Sequence, residues 1–400
     1  MAHVNLNTNE VKDFLRHIIS NNQVIQSQGK NPVAVEVVGD SGIGKTSTII
    51  QLAEELKLNF VKLNLAQIEE LGDLVGFPIV QYQIQEKMTT SNPNEVRTPR
   101  TAWVNEVSFQ EYLKAGFKDT GKTRMSYAAP EWIAGKEDGG ILLLDDWNRA
   151  DTRFIQAVME LVDRQTYISW SLPKNWHIIL TSNPDNGDYM VNSIDSAQRT
   201  RFITANLKFD VDVWAKWAEE NGVDGRCINF LLMHPELVTQ ETNARSITTF
   251  FNSISSIENF EDQLPLIQMI GEGSVGAEFA TMFTMFINNR LDKIITPEKV
   301  MSMDDWSSVK GQLTSVIGKE DNYRADIASV ITRRLINYNL INAEKSAINQ
   351  KVFDRLSYLM TEDLFTNDLK YTLVREIVNG NRTKFQKLLM NPEIVKMTIS

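Results

Sequence analysis

Cysteine is almost missing from this sequence. Cys227 is the only one in 400 residues, so no intramolecular disulfide can form and no thiolate zinc site can be built. Histidine is scarce as well. His3, His17, His177 and His234 are scattered, with no two at metal-ligand spacing, which leaves zinc hydrolase chemistry without a ligand set. Long apolar runs are absent too. Residues 1–10 are polar and hold no apolar signal core, and the stretch 279–287 is too short and too broken by threonine to span a bilayer. Nor is there an excess of positive charge. Lys and Arg number 41 against 51 Asp and Glu, a net charge of −10, the opposite of a broadly basic nucleic-acid binder. These absences lead us to expect a soluble, reduced, cytoplasmic protein with no membrane partner, and they argue against nonspecific nucleic-acid binding as its main activity.

What is present is an ordinary globular composition, 42% hydrophobic and 23% charged. At about 150 residues per domain, this length suggests two to three domains. The first helix is expected at residues 11–19, where Val11, Phe14, Leu15, Ile18 and Ile19 recur at helical spacing after a cap at Thr8 or Asn9. Short apolar runs at 33–38, 60–65, 141–144 and 176–181 read as buried strands, with helices at 45–56 and 151–163 between them. Strands alternating with helices predict an α/β fold around a parallel sheet. Residues from about 77 to 130 break the alternation. They carry Asn92-Pro93, Thr98-Pro99 and a charge mixture in which Lys87, Arg97, Arg100 and Arg124 are interleaved with acids, and they read as an insertion, part hairpin and part loop. Beyond Lys208 only helical patterns remain, at 213–218, 247–257, 277–288, 327–336, 352–360 and 369–378.

Two segments carry recognisable chemistry. Gly39-Asp40-Ser41-Gly42-Ile43-Gly44-Lys45-Thr46 fits the P-loop pattern G-x-x-x-x-G-K-[ST]. Its glycines let backbone N–H groups turn inward around phosphate oxygens, and the following helix N-terminus favours negative charge. Lys45 would reach the β- and γ-phosphates of ATP, and Thr46 would ligate Mg²⁺. Downstream, Ile141-Leu142-Leu143-Leu144 runs into Asp145-Asp146, a Walker B arrangement. Asp145 at the strand end would hold Mg²⁺ through water, and Asp146 would polarise the attacking water.

With these two motifs in place, the sequence resembles MoxR-type AAA+ ATPases, within the dynein-related AAA+ branch. The segment Asp145-Asp146-Trp147-Asn148-Arg149-Ala150 resembles the D-E-x-N-R-A run of that family. Leu71-Gly72-Asp73-Leu74-Val75-Gly76, Ala129-Pro130-Glu131-Trp132 and Glu160-Leu161-Val162-Asp163-Arg164 resemble its flanking segments, in the same order. Thr181-Ser182-Asn183-Pro184 resembles sensor 1, Thr200-Arg201-Phe202 the arginine-finger segment, and Asn243-Ala244-Arg245-Ser246 sensor 2. The resemblance covers about residues 30 to 255.

It implies an AAA+ core over 1–208 containing the insertion, a helical lid over 209–290 and a further helical region over 291–400, with ATP and Mg²⁺ between core and lid. It also implies Asn183 on the lytic water, Arg201 (with Arg199 as its rival) reaching a neighbouring subunit, and Arg245 on the γ-phosphate. A homo-oligomeric ring or spiral follows, hexameric by resemblance. So does a protein-remodelling role on a protein client, with a separate partner bearing a von Willebrand factor A domain. Two other readings stay open: a nucleic-acid motor or restriction-type NTPase subunit, and a nucleotide-gated scaffold with negligible turnover. The family has Glu where this chain has Asp146. That side chain is one methylene shorter and sets the carboxylate back by about 1.5 Å, a misplacement that costs on the order of 100-fold, so slow basal turnover is expected.

Overall fold

The computed structural model describes residues 4–87, 99–289, 291–392 and 394. Asn92-Pro93 and Arg97 of the insertion, and residue 290 at the expected end of the lid, lie outside the described residues. The chain divides into two compact units, one formed by Met1–Asp40 and Gly44–Lys208, the other by Ser41–Ile43 and Phe209–Ser400.

The first unit is built on strands β1 (Asn5–Leu6), β2 (Ala34–Val38) and β3 (Asn59–Asn64). The strands β4 (Pro78–Gln85), β5 (Thr101–Asn105) and β6 (Lys118–Tyr127) follow, then β7 (Gly140–Asp145), β8 (Thr166–Tyr167), β9 (Trp170–Ser171), β10 (Trp176–Ser182) and β11 (Phe202–Leu207). Its helices are α1 (Thr8–Ser27), α2 (Lys45–Leu56), α3 (Leu71–Val75), α4 (Glu106–Lys114), α5 (Thr152–Arg164) and α6 (Ser196–Arg199). Six strands form one sheet in the order β1-β11-β2-β10-β7-β3, every pair parallel. Every residue of β7 and β10 is buried, as the unbroken apolar runs require of central strands covered on both faces. Helix α1 is capped by Asn7, not by Thr8 or Asn9. The Asn7 side chain accepts from the Glu10 N–H, and the Glu10 carboxylate accepts from the Asn7 N–H, a capping box read one residue earlier than the apolar periodicity suggests.

The insertion is more ordered than its composition implies. Strands β5-β4-β6 form a separate antiparallel sheet, and Phe109 of α4 stacks on Tyr82 at 4.6 Å between ring centroids. Along β4, Gln81, Gln83 and Gln85 alternate with Val80, Tyr82 and Ile84, the period-two pattern of a sheet with one face in water.

The second unit is helical: α7 (Val211–Glu220), α8 (Gly225–Met233), α9 (Ala244–Ser253), α10 (Leu264–Val275) and α11 (Ala277–Asn288), then α12 (Pro297–Ser302), α13 (Trp306–Ile317), α14 (Ala325–Lys345), α15 (Gln350–Thr361), α16 (Asn367–Gly380) and α17 (Arg382–Phe385). One core gathers Phe230, Phe250, Phe251, Phe279, Phe283 and Phe286, with Phe230 edge-on to three of the others, a geometry that adds to plain area burial. Met285, on the same helix as Phe283 and Phe286, points outward and is 51% exposed. A second core begins at Ile294 and runs to Ile394. Arg334 of α14 ties the two helical sets together. Its guanidinium donates to Glu219 of α7 (2.6 Å) and to Asn229 of α8 (3.1 Å). No helix among the described residues is long and apolar enough to cross a membrane.

Candidate nucleotide-binding site

Strand β2 delivers the chain into the glycine-rich loop, and α2 begins immediately after it. Gly44 opens that helix at φ 97°, a backbone region that L side chains avoid. The Gly39 N–H donates to the Ser182 carbonyl at 3.2 Å, fastening the start of the loop to the end of β10. Lys45 is 7% exposed. Its ammonium donates to the Gly39 carbonyl (2.6 Å), the Asp40 carbonyl (2.9 Å) and Asn183 Oδ1 (3.0 Å). The lysine and asparagine that the sequence singles out are thus in direct contact across 138 residues of chain.

Asp145, at the end of β7, is buried. Its Oδ1 accepts from Thr46 Oγ1 at 2.8 Å and from Thr181 Oγ1 at 2.5 Å, and its Oδ2 faces Lys62 Nζ at 2.9 Å. Burial pushes this carboxyl up, but hydrogen bonds from Thr181, Lys62 and Thr46 outweigh it and hold the group below its ordinary value. Among the described residues, no three His, Cys, Asp or Glu side chains gather as a metal cluster. The Thr46 hydroxyl and the Asp145 carboxylate, 2.8 Å apart, are the pair that could hold a divalent cation, as in sites where phosphate oxygens and water complete an octahedral shell. Asn64 is in register with Asp145, and its Oδ1 is buried with no partner among the described residues. That orphaned acceptor suits the water of a hydrated Mg²⁺, so the residues present fit the ion.

Asp146 sits in the left-handed region at φ 50° and ψ 37°, one of the few conformations that Asp adopts more readily than Glu. Its N–H donates to Thr181 Oγ1 at 3.1 Å, and its carboxylate lies 3.4 Å from Asn183 Nδ2. Asn183 is held in turn by Asn148, whose Nδ2 donates to the Asn183 carbonyl (2.8 Å) and whose Oδ1 accepts from its N–H (3.3 Å). The structure therefore gathers Lys45, Thr46, Asp145, Asp146 and Asn183 at the carboxyl ends of β2, β7 and β10.

The arginines make contacts of their own. Arg201 donates to the Ala197 carbonyl at 3.3 Å, Arg199 donates to the Ile194 carbonyl at 3.2 Å, and neither pairs with a carboxylate among the described residues. Arg149 is exposed. In the second unit, Arg245 is exposed in the first turn of α9, which Asn243 caps. Its N–H donates to the carbonyl of Gly42, a residue of the same unit, at 3.1 Å. Gly42 itself has φ 76°, and a Cβ there would come within 2.2 Å of Asn243 Oδ1. Ser41 and Ile43 flank it in the loop.

Four further residues organise the site: Lys62 and Glu36 lie outside every motif, and Thr181 and Trp147 lie within the quoted segments without a role of their own there. Lys62 and Thr181 contact Asp145 from the strands on either side of β7. Glu36, 4% exposed in the middle of β2, accepts from Trp147 Nε1 (2.9 Å), Ser182 Oγ (2.8 Å) and Thr204 Oγ1 (3.2 Å), and no cation pairs with it among the described residues. Trp147, fully buried, follows Asp146 directly. A charged residue inside an apolar strand run was the one signal in the sequence that pointed to Glu36. Lys62 has none, and Thr181 appears only within the segment resembling sensor 1, since their contacts with Asp145 depend on which strands become neighbours.

No family model matches the chain, and no curated protein matches its sequence. Solved structures of RuvB from Thermotoga maritima are similar to it. One mutant form is 14% identical with a TM-score of 0.35, covering 86% of this chain and 93% of its own. A structure described as the RuvB Holliday junction branch migration motor is 13% identical with a TM-score of 0.33, covering 85% and 90%. Taken on its own topology, with the P-loop strand β2 central, β10 beside it and the carboxylate-bearing β7 next, the first unit has the AAA+ P-loop ATPase fold, followed by a helical region.

Proposed function

We propose that this protein binds ATP with Mg²⁺ on the 39–46 loop and hydrolyses it, working as an AAA+ remodeller of MoxR type. The observation that carries the reading is the pairing of Thr46 with Asp145 and of Lys45 with Asn183, because it puts a metal-holding pair beside a phosphate-binding lysine and a polar sensor. In this reading the backbone from Gly39 to Gly44 cradles the phosphates, and Lys45 exchanges its carbonyl and amide acceptors for phosphate oxygens. Thr46 and Asp145 hold Mg²⁺, which when bound offsets the charge that develops between the β- and γ-phosphates. Asp146 accepts a proton from the attacking water, and Asn183 orients that water. Arg201, without a carboxylate partner among the described residues, completes the site of a neighbouring subunit, and Arg245 senses the γ-phosphate. A ring, hexameric by resemblance, a separate partner with a von Willebrand factor A domain and a protein client complete the proposal.

The test is nucleotide binding and turnover per subunit across a wide range of protein concentration. Lys45→Ala should weaken ATP binding by about 10- to 100-fold, the worth of a charge-assisted hydrogen bond. Turnover should rise with concentration in the wild type and stay about 1,000-fold lower in Arg201→Ala. Turnover independent of both concentration and Arg201 would remove the shared site. ATP binding without turnover at any concentration would favour the scaffold reading, and stimulation by DNA would favour a nucleic-acid motor.

A further inference from the structure

Lys62 belongs to none of the motifs, yet among the described residues it makes the one ion pair at Asp145. It lies on β3, two residues before Asn64, which is in register with Asp145. Residues i and i+2 of a strand share a face, so Lys62 and Asn64 both stand on the face where the carboxylate is presented. The two oxygens of Asp145 are divided. Oδ1 takes the hydroxyls of Thr46 and Thr181, and Oδ2 takes the Lys62 ammonium at 2.9 Å. Both oxygens are therefore engaged before any metal arrives. The Lys62 side chain is 40% exposed and the Asp145 side chain 9%, so the ammonium can swing into solvent while the carboxylate cannot follow it. A long, flexible lysine is suited to this, because it keeps its charge hydrated when it leaves.

We infer that Lys62 is a tethered cation that competes with Mg²⁺ for Asp145, so that the chain without nucleotide holds divalent metal poorly and takes it up together with the nucleotide phosphates. The inference rests on the nucleotide-site reading above. Lys62 is a positioning residue here, since it acts through Asp145 and not on the nucleotide. Removing its charge frees Oδ2 for water or metal, while the Thr46 and Thr181 hydroxyls keep the carboxylate in place.

The experiment uses the full chain as wild type, Lys62→Met and Lys62→Arg, with circular dichroism to compare folding. Lys62 is half exposed on an edge strand, so the three should fold alike. Binding of Mn²⁺ without nucleotide is read from the electron paramagnetic resonance of the free ion, and the Mg²⁺ concentration for half-maximal binding of a fluorescent ATP analogue is read in parallel. Lys62→Met should bind Mn²⁺ about fivefold more tightly and lower the half-maximal Mg²⁺ concentration by a similar factor, the scale of a partly exposed ion pair. Lys62→Arg should stay close to wild type. Unchanged or weaker metal binding in Lys62→Met, with the nucleotide still bound, would overturn the inference and leave the nucleotide reading intact. No nucleotide binding by any of the three would overturn the nucleotide reading, while the Mn²⁺ measurement still decides whether Lys62 competes for Asp145.

Discussion

Glu36 offers the sharpest test of how the site is supported. It is a carboxylate in the middle of the sheet, and three neutral donors reach it from three segments: Trp147 beside Asp146, Ser182 beside Asn183, and Thr204 on β11. In Glu36→Leu the two hydroxyls can rotate to other acceptors, but the indole N–H of the fully buried Trp147 has nowhere to turn. An orphaned buried donor costs about 1–3 kcal/mol. Loss of a desolvated carboxylate offsets part of this, so the single substitution is less decisive than its coupling to Trp147→Phe. Once the acceptor is gone, removing the indole N–H relieves an orphan instead of breaking a bond. A coupling of about 1–2 kcal/mol is therefore expected, at the strong end for contacting residues. The assay is amide hydrogen exchange of the full-length protein, followed by mass spectrometry on peptides covering β2 and β10. Each single variant should exchange faster there, by up to about 150-fold for Glu36→Leu before the offset from the lost carboxylate. The double variant should be slower than the product of the two effects by about tenfold. If the effects multiply, the Glu36–Trp147 hydrogen bond contributes nothing and the account of the network is wrong.

Other predictions are simpler. His177, on β10, is 2% exposed and neither ring nitrogen has a partner among the described residues; burial pushes its pKa down to about 4. Its folded value lies below the ordinary 6.5, so the unfolded chain takes up the proton first as pH falls. This group's contribution is intact above about pH 6.5 and is lost on the way down to about pH 4, a total of about 3 kcal/mol. His177→Leu should gain in urea midpoint over wild type increasingly between pH 7.5 and 5; an equal gain at both pH values would contradict this. Asp146→Asn should abolish turnover and leave ATP binding within about threefold, since uniform binding and water activation are separate contributions. Unchanged turnover would take Asp146 out of catalysis. Arg199→Ala should retain most activity where Arg201→Ala does not, measured as turnover at saturating protein; the reverse order would move the finger role to Arg199.

How far the sequence could be read differs from element to element. Four of the six core strands were legible because they are short, largely apolar runs, whereas the two-residue β1 and the mixed β11 were not; the helices after Lys208 were legible where apolar residues recur at helical spacing over several turns. The insertion was not. The alternation along β4 is only a few residues long, and β6 is polar over most of its length, so the strands do not stand out from loop. Local chemistry was enough to single out Lys45, Thr46, Asp145 and Asp146, since a phosphate loop and a strand-end carboxylate need particular residues at fixed spacing along the chain.

Contacts that depend on which strands lie side by side could be decided only by the tertiary structure. Once β3 and β10 flank β7, Lys62 and Thr181 converge on Asp145. Once β11 and β10 flank β2, Thr204 and Ser182 converge on Glu36. Spacing along a chain encodes the period of one element, but strand order is a global property of the packed sheet. The sequence by itself therefore determined which side chains can do the chemistry, and the packing of the sheet decided which neighbours hold them in place.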